Sequence, residues 1–302
     1  MEGKHAIGVD VGGTKILAGV VTAGGEILRR HERATPQDSQ DSVVRELEAA
    51  VAELLTDEVG AIAFGVPSPI DLREGIVVQC VNLPLSSFAL RDHMTARFGL
   101  PVGLDNDANA AAIGEWRAGV GRGVEDLVML TLGTGLGGGV ISNGKPFRGA
   151  NGAGAELGHV VIVHDGRPCQ GACNGRGHLE PYVTGLAATA AAQEAFGPAA
   201  DAHRLIRLAN EGDTTAREIL ADVGRHLGSA MGSFANIFGP ELIVLGGGFG
   251  VAGWEYIAPP AEEIMRREAL LPMRDRVRVA RTELGTAAGL IGAAFVAFEA
   301  AQ

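Results

Sequence analysis

The chain has 302 residues, of which 46% are hydrophobic and 20% are charged, a composition typical of a globular protein with one large or two ordinary domains. Its net charge is −11 and it has no run of lysines and arginines, which disfavours nucleic acids and acidic membranes as partners. No apolar run reaches the roughly 20 residues that span a bilayer, and the N-terminus lacks the apolar segment of a signal peptide, so we expect a cytoplasmic protein.

The sequence of residues 5–119 predicts a β-meander followed by alternating helices and strands. Alternating apolar residues and Gly-Gly turns indicate the meander, and apolar residues at helical spacing indicate a helix that Asp41 or Ser42 can cap. The predicted elements, in chain order, are strands at 5–11, 15–22 and 26–32, a helix at 41–58, strands at 60–66 and 75–79, a helix at 88–99, and a strand, a polar turn and a helix within 101–119.

The unit of strand, glycine-rich turn and strand recurs at 126–142. Because the turn after Val9-Asp10-Val11 resembles the turn after Leu130-Thr131-Leu132, we infer a weak internal duplication with two α/β halves that face a cleft. The later predicted elements are helices at 185–196, 201–212 and 213–238, strands at 241–250 and 276–282, and a helix at 285–301. We predict one domain from 1–117 with 289–302, and a second from 118–288.

Three glycine-rich turns each follow a strand, an arrangement that directs backbone N–H groups toward phosphate oxygens. Asp10 precedes the first turn, where a carboxylate can hold hydrated Mg²⁺, and Thr14 and Lys15 can donate to phosphate. The Walker A pattern is absent. Ordinary hairpin turns are the alternative interpretation, although three such turns in one chain favour nucleotide binding.

A dense polar cluster, Leu104-Asp105-Asn106-Asp107-Ala108-Asn109, lies between a predicted strand and a predicted helix. Asp105 or Asp107 could serve only as a helix cap, but four polar residues are more than a cap requires. A carboxylate here could accept the proton of a substrate hydroxyl that attacks a γ-phosphate, while Asn106 orients the substrate.

These segments, with Leu132–Gly139 and Arg148-Gly149-Ala150-Asn151-Gly152, resemble the ROK family of bacterial sugar kinases and related repressors, from Ile7 to about Ala294. The resemblance implies a two-domain α/β protein of the actin-like ATPase (ribonuclease H-like) fold with an interdomain cleft, and a homodimer or homotetramer. The family's repressors carry an N-terminal helix-turn-helix extension. Since the first predicted strand begins by residue 5, we expect the kinase branch.

The resemblance also implies roles for individual residues. It makes Asp107 the catalytic base and places Asn106, Glu156, His159 and Glu180 on the hexose. The Pro67–Asp71 loop resembles a loop on the sugar side, with Ser68 where glycine is common. The residues that would contact ATP and its phosphates are Asp10, Gly12, Gly13, Thr14, Lys15, Gly133, Thr134, Gly135, Gly246, Gly247 and Gly248.

The implied activity is ATP-dependent phosphorylation of a hexose 6-hydroxyl, with Mg²⁺ and with glucose as the first substrate to test. Mannose, N-acetylmannosamine, N-acetylglucosamine, fructose and allose are alternative substrates, and polyphosphate is an alternative donor. A non-catalytic sugar sensor is the alternative of a different class. The intact Asp107 and the glycine-rich turns argue against a sensor, because a sensor needs no phosphate loops.

Two cysteines, Cys169 and Cys173, lie in a histidine-containing loop at about 159–180. In a reducing compartment a close cysteine pair indicates a metal site more than a disulfide. The family's metal site is a histidine followed by three cysteines, and this chain departs from it by its Cys-x₃-Cys spacing and by His178 at the last position. We predict a closed structural Zn²⁺ site of His159, Cys169, Cys173 and His178, with His164 as the substitute for His178. A metal-free loop and a redox pair are the alternatives.

Overall fold

The computed structural model describes residues 5–80, 82–171 and 173–302. The strands are β1 His5–Val11, β2 Lys15–Val21, β3 Ile27–Ala34, β4 Val59–Val66, β5 Ile70–Asp71, β6 Ile76–Gln79, β7 Ser86–Phe88, β8 Val102–Asn106, β9 Leu127–Leu132, β10 Leu136–Ser142, β11 Lys145–Pro146, β12 Leu242–Gly246 and β13 Arg278–Arg281. The helices are α1 Gln40–Leu54, α2 Leu90–Phe98, α3 Asp107–Ala118, α4 Glu180–Val183, α5 Gly185–Phe196, α6 Ala202–Asn210, α7 Thr214–Phe238, α8 Gly248–Ala252, α9 Trp254–Glu268, α10 Met273–Arg276 and α11 Ala288–Ala300, with 3₁₀ turns at Leu157–His159 and Gly285–Ala287. Within the described ranges, no helix is long and apolar enough to cross a membrane.

Two five-stranded sheets have the same topology. The first sheet has the order β3-β2-β1-β4-β8 and the second has the order β11-β10-β9-β12-β13. In each sheet an antiparallel hairpin, β1–β2 or β9–β10, is followed by two parallel strands. This repetition agrees with the duplication inferred from the two matching turns. In both halves the glycine-rich hairpin turn lies at the edge where the parallel strands end, which is where α/β proteins bind ligands.

Helices α3 and α11 pack against each other and join the two sheets. Helix α11 contacts β1, β4 and β8 of the first sheet, and α3 contacts β9 and β10 of the second. The two helix backbones approach so closely that a Cβ at Gly114 would overlap Ala288, and a Cβ at Gly292 would overlap Ala110. The start of α3 is therefore held against both sheets by backbone packing.

Local details differ from the sequence interpretation at several places. The strand predicted at 241–250 ends at Gly246 and is followed by helix α8, and helix α9 was not predicted. Helix α1 ends at Leu54 rather than at 58, and its N-cap is Ser39, whose hydroxyl accepts from the Ser42 N–H, rather than Asp41 or Ser42.

Candidate active site and metal cluster

A cleft of about 570 Å³ lies where the ends of the two sheets meet. It brings together the five residues predicted to contact or activate a sugar, which come from the end of β8, the start of α3, the first 3₁₀ turn and the start of α4: Asn106, Asp107, Glu156, His159 and Glu180. The second glycine-rich turn, Gly133–Gly135, forms another wall of the same cleft, together with Gly247. Carboxylates, an imidazole and a glycine turn thus share one cavity.

The transition from β8 to α3 fixes Asn106 and Asp107. Asn106, rather than Asp105 or Asp107, is the N-cap of α3, and its side-chain oxygen accepts from the N–H groups of Ala108 and Asn109. The amide nitrogen of Asn106 therefore remains available as a donor in the cleft. Asp107 Oδ1 accepts from the Ala108 N–H at 2.9 Å, which leaves Oδ2 as the free acceptor.

Burial makes the Asp107 carboxyl group a stronger base than an exposed one. Its pKa is raised from 3.8 to about 6, mainly because the site is desolvated and in part because of the charge on Glu156. Burial also raises the pKa of Asp10 to about 7, with a further contribution from Asp107. A carboxyl group in a cleft that holds its proton more tightly than usual, as Asp107 does, is typical of a catalytic site.

Glu156, His159 and Glu180 form a second polar wall. Glu156 and His159 lie at the two ends of the first 3₁₀ turn, and Glu180 begins α4. The Glu180 carboxylate lies against the backbone of Gly135 and Gly158, where a Cβ would be 3.4 and 3.5 Å from its oxygens. Burial raises the pKa of Glu180, and the charge of Glu156 adds to the effect. This wall therefore offers both acceptors and a ring nitrogen to a polyhydroxylated ligand.

The predicted phosphate-contacting residues do not all reach the cleft. Among the described residues, the cleft lining includes Gly133, Thr134, Gly135 and Gly247 but not Asp10, Gly12, Gly13, Thr14, Lys15, Gly246 or Gly248. The β1–β2 turn is closed by a bond from the Gly12 N–H to the Lys15 carbonyl. The Lys15 ammonium lies 2.9 Å from Glu32, so it is engaged at the surface. The structure therefore sets the first turn just outside the cavity.

The glycine turn that contains Gly247 has a backbone that a side chain would not tolerate. Gly247 has φ +79°, and a Cβ there would overlap the backbone of Leu132. The Gly133 carbonyl accepts from the Gly185 N–H at 2.8 Å, which ties the second turn to α5. Gly247 and the turn at 133–135 both line the cleft, where glycine lets the backbone approach a ligand closely.

Sequence reasoning missed part of the cleft. Asn82 lines the cavity and lies against the first turn, where a Cβ at Gly13 would be 3.3 Å from the Asn82 Cβ. Thr131 and Ala153 also line it. Ser68 is buried, and its hydroxyl donates to the Pro69 carbonyl and accepts from the Gln79 N–H, so it holds its loop in place. The Asn-Leu-Pro sequence after a predicted strand was the available signal for Asn82.

The predicted metal ligands converge on one point. Atoms of His159, Cys169, Cys173 and His178 all lie within 4.8 Å of one another. The two Nδ1 atoms are 3.3 Å apart, and each cysteine sulfur is 3.6 Å from a histidine Nδ1. A regular tetrahedron with the usual zinc bond lengths gives ligand separations of about 3.3–3.8 Å. The donor set and its spacing therefore fit Zn²⁺.

A short irregular hairpin holds the four ligands. The Cys169 N–H donates to the Gly175 carbonyl, and Val161 pairs with His178. A Cβ at Gly175 would overlap the His178 ring. Among the described residues, His164 does not belong to the group. Burial raises the pKa of Cys169 to about 11, which does not favour the reactive thiolate of a redox pair.

Asp105, which points away from the cleft, has a structural role. It is 1% exposed, and its carboxylate lies 2.7 Å from Nε of Arg148. The Arg148 guanidinium also binds both oxygens of Glu299 on α11, at 3.0 and 2.8 Å. Burial raises the pKa of Asp105 and Arg148 opposes that shift. This ion pair ties the loop that leads to Glu156 to the strand that ends at Asn106.

The repeated sheets and the acidic, glycine-lined cleft between them define a protein of the actin-like ATPase fold. The chain belongs to the ROK family, whose model matches residues 6–300. A glucokinase of Thermotoga maritima is 34% identical over 308 residues, with 96% of each chain covered.

Solved structures of ROK proteins give the same result. A ROK family glucokinase from Streptomyces griseus, solved in complex with glucose and AMPPNP, is 35% identical with a TM-score of 0.85, and 98% of this chain and 99% of that chain are covered. A ROK hexokinase from Thermus thermophilus is 35% identical with a TM-score of 0.84 and 98% coverage of each chain.

Proposed function

We propose that the protein is an ATP-dependent hexose kinase that phosphorylates the 6-hydroxyl of glucose. The observation that carries the proposal is the cleft, in which a buried Asp107 lies together with a polar wall and the glycine turn at 133–135. The full-length similarity to glucokinases supports it. The cleft would lie between domains formed by 1–117 with 289–302 and by 118–288.

Asp107 would act as the general base. Its free oxygen, Oδ2, accepts the proton of the 6-hydroxyl as the hydroxyl oxygen attacks the γ-phosphorus of ATP and ADP departs. A pKa of about 6 suits this role, because the group is mostly ionised at neutral pH and is still a better base than an ordinary carboxylate.

The remaining cleft residues would bind and orient the sugar. The Asn106 amide nitrogen donates to one hydroxyl oxygen, since its carbonyl oxygen is used in the cap of α3. Glu156 and Glu180 accept from hydroxyl groups on the opposite wall, and His159 contributes its Nε2. Because positioning accounts for much of the catalysis of phosphoryl transfer, these contacts determine how well the 6-hydroxyl is aligned.

Backbone N–H groups of the turns would cradle the phosphates. The residues proposed for ATP are Gly133–Gly135 and Gly247 in the cleft, with Gly12–Lys15, Gly246 and Gly248 beside it. Mg²⁺ bound to ATP neutralises phosphate charge during transfer. Asp10 would hold the hydrated ion, because it is a single buried carboxyl group near Asp107.

We further propose that His159, Cys169, Cys173 and His178 hold a structural Zn²⁺ ion. Four protein ligands would fill its tetrahedral coordination, so the ion supplies rigidity rather than a reactive water. If His159 uses Nδ1 for the metal, Nε2 remains free for the sugar and the ring is fixed in orientation. The metal site would then stiffen the wall that carries Glu156 and Glu180.

A coupled assay of ATP consumption over a panel of sugars tests the proposal. We expect glucose to give the highest kcat/KM, with mannose, fructose, allose, N-acetylglucosamine and N-acetylmannosamine as comparison substrates and polyphosphate as an alternative donor. A preference for another sugar would support a hexose kinase with a different substrate. Sugar binding by calorimetry without any phosphorylation would instead support the non-catalytic sensor.

A further inference from the structure

We propose that Glu115 is a positioning residue for phosphoryl transfer, which holds the helix that carries Asp107 in register with the glycine turn at 246–248. The inference rests on the proposed kinase function. Glu115 lies in the last turn of α3, two turns beyond Asp107, and it is outside the cleft.

The surroundings of Glu115 are unusual for an acidic side chain. It is 0% exposed, although burial of a carboxylate is costly and a negative charge near the C-terminus of a helix opposes the helix dipole. Four donors compensate the burial. Oε1 accepts from the Thr282 hydroxyl and from the Leu284 N–H at 2.8 Å, and Oε2 accepts from the N–H groups of Val120 and Glu283 at 3.1 and 3.2 Å.

These four donors lie on two segments that connect the sheets. Val120 belongs to the segment between α3 and β9, the first strand of the second sheet. Thr282, Glu283 and Leu284 belong to the segment between β13 of the second sheet and α11, which packs on the first sheet. One carboxylate therefore fixes both connections to the end of α3. Gly119 leaves room for it, because a Cβ there would overlap Oε2 of Glu115.

Thr282 links Glu115 to the glycine turn at 246–248, which is proposed to contact ATP. Its Cβ and Cγ2 atoms would lie 3.5 and 3.7 Å from a Cβ at Gly246, so the residue packs against the end of β12. Gly247, the next residue, lines the cleft. The helix α3 and the pair of Glu115 and Thr282 thus form a continuous path of contacts from the base to the glycine turn.

Two substitutions test the contacts of Glu115 and Thr282 while they keep the size of each side chain. Glu115→Gln keeps the side-chain shape, but only one of its terminal atoms can still accept, so two donors lose their partner. Thr282→Val keeps the methyl group beside Gly246 and removes only the hydroxyl donor. Thr282→Ser restores the hydroxyl. Glu283→Gln is the matched control, because that carboxylate is exposed and lies 3.6 Å from Arg122.

The measurement is kcat per glucose-binding site, with the number of competent sites taken from the stoichiometry of glucose binding by calorimetry. We expect kcat per site to fall about 10- to 100-fold in Glu115→Gln, and less in Thr282→Val, because a misplacement of about 1 Å can cost that much. The KM for glucose should change less than kcat, since Glu156, His159 and Glu180 lie on the opposite wall, away from α3. Thr282→Ser and Glu283→Gln should match the wild type.

Loss of folded protein alone would lower the number of sites and leave kcat per site unchanged. If kcat per site stays within twofold of the wild type in both Glu115→Gln and Thr282→Val, the positioning role is wrong. If the wild type itself shows no sugar-dependent ATP consumption, the proposed function fails instead, and the two failures are therefore distinguished.

Discussion

Replacement of Asp107 by asparagine removes the proposed base and little else. The asparagine side chain has the same shape, and its Oδ1 can still accept the Ala108 N–H that Asp107 accepts at 2.9 Å. General-base catalysis contributes about 10²- to 10⁴-fold to a rate. We therefore expect kcat to fall by about that factor, while glucose still binds.

The same substitution should stabilise the fold at alkaline pH. The pKa of Asp107 is 3.8 in the unfolded chain and about 6 when folded, so the folded state binds its proton more tightly. The ionised form therefore costs stability, by up to about 3 kcal/mol above pH 6, since one pKa unit is worth about 1.36 kcal/mol. This cost shrinks as the pH falls from 6 toward 4. Asparagine has no such cost at any pH.

The assays are steady-state kinetics with glucose and ATP, and urea unfolding at pH 8 and at pH 4.5. The wild type should show kcat/KM rising with pH through about 6, because Asp107 must be ionised to accept a proton. The variant should be more stable than the wild type at pH 8, with a smaller difference at pH 4.5. A variant that keeps kcat within tenfold of the wild type, or that is less stable at pH 8, would refute the reasoning.

Two further predictions concern the metal cluster and the buried ion pair. His178→Ala should lose bound zinc by metal analysis while His164→Ala keeps it, because only His178 lies with the other ligands; equal zinc contents would remove His178 from the site. Arg148→Ala should lower the free energy of unfolding by about 3–5 kcal/mol, because it leaves Asp105 buried without its partner. Arg225→Ala, which breaks exposed pairs on α7, should cost under about 1 kcal/mol in the same urea titration; similar losses in the two variants would contradict the role assigned to Asp105.

Much of the candidate site could be predicted from the sequence, because its residues lie close together along the chain. The segment from Asp105 to Asn109 places a helix cap, the proposed base and a proposed sugar ligand within five residues, and the glycine turns follow their strands directly. The strand alternation likewise predicted the two hairpins that open the sheets. The metal ligands lie within 20 residues, and the resemblance to the family's histidine and cysteine site, added to their spacing, predicted a common site.

Contacts between distant segments could not be predicted in the same way. Glu115 meets Thr282 across 167 positions, and Arg148 meets Glu299 across 151. Each of these residues has an ordinary sequence context, and only the packing of α3 and α11 brings the partners together. The cap of α3 was misassigned for a related reason. Asp105, Asn106 and Asp107 are all residue types that favour a helix N-cap, and the cap is Asn106 because β8 ends and α3 begins at that residue.

The most direct test of the account is ³¹P NMR of the wild-type protein with glucose, ATP and Mg²⁺. We expect the γ-phosphate signal of ATP to disappear only when glucose is present, with an equal amount of a phosphate monoester at the sugar 6-position. Loss of that signal at the same rate without sugar, or glucose binding with ATP left intact, would contradict the assignment of a hexose kinase.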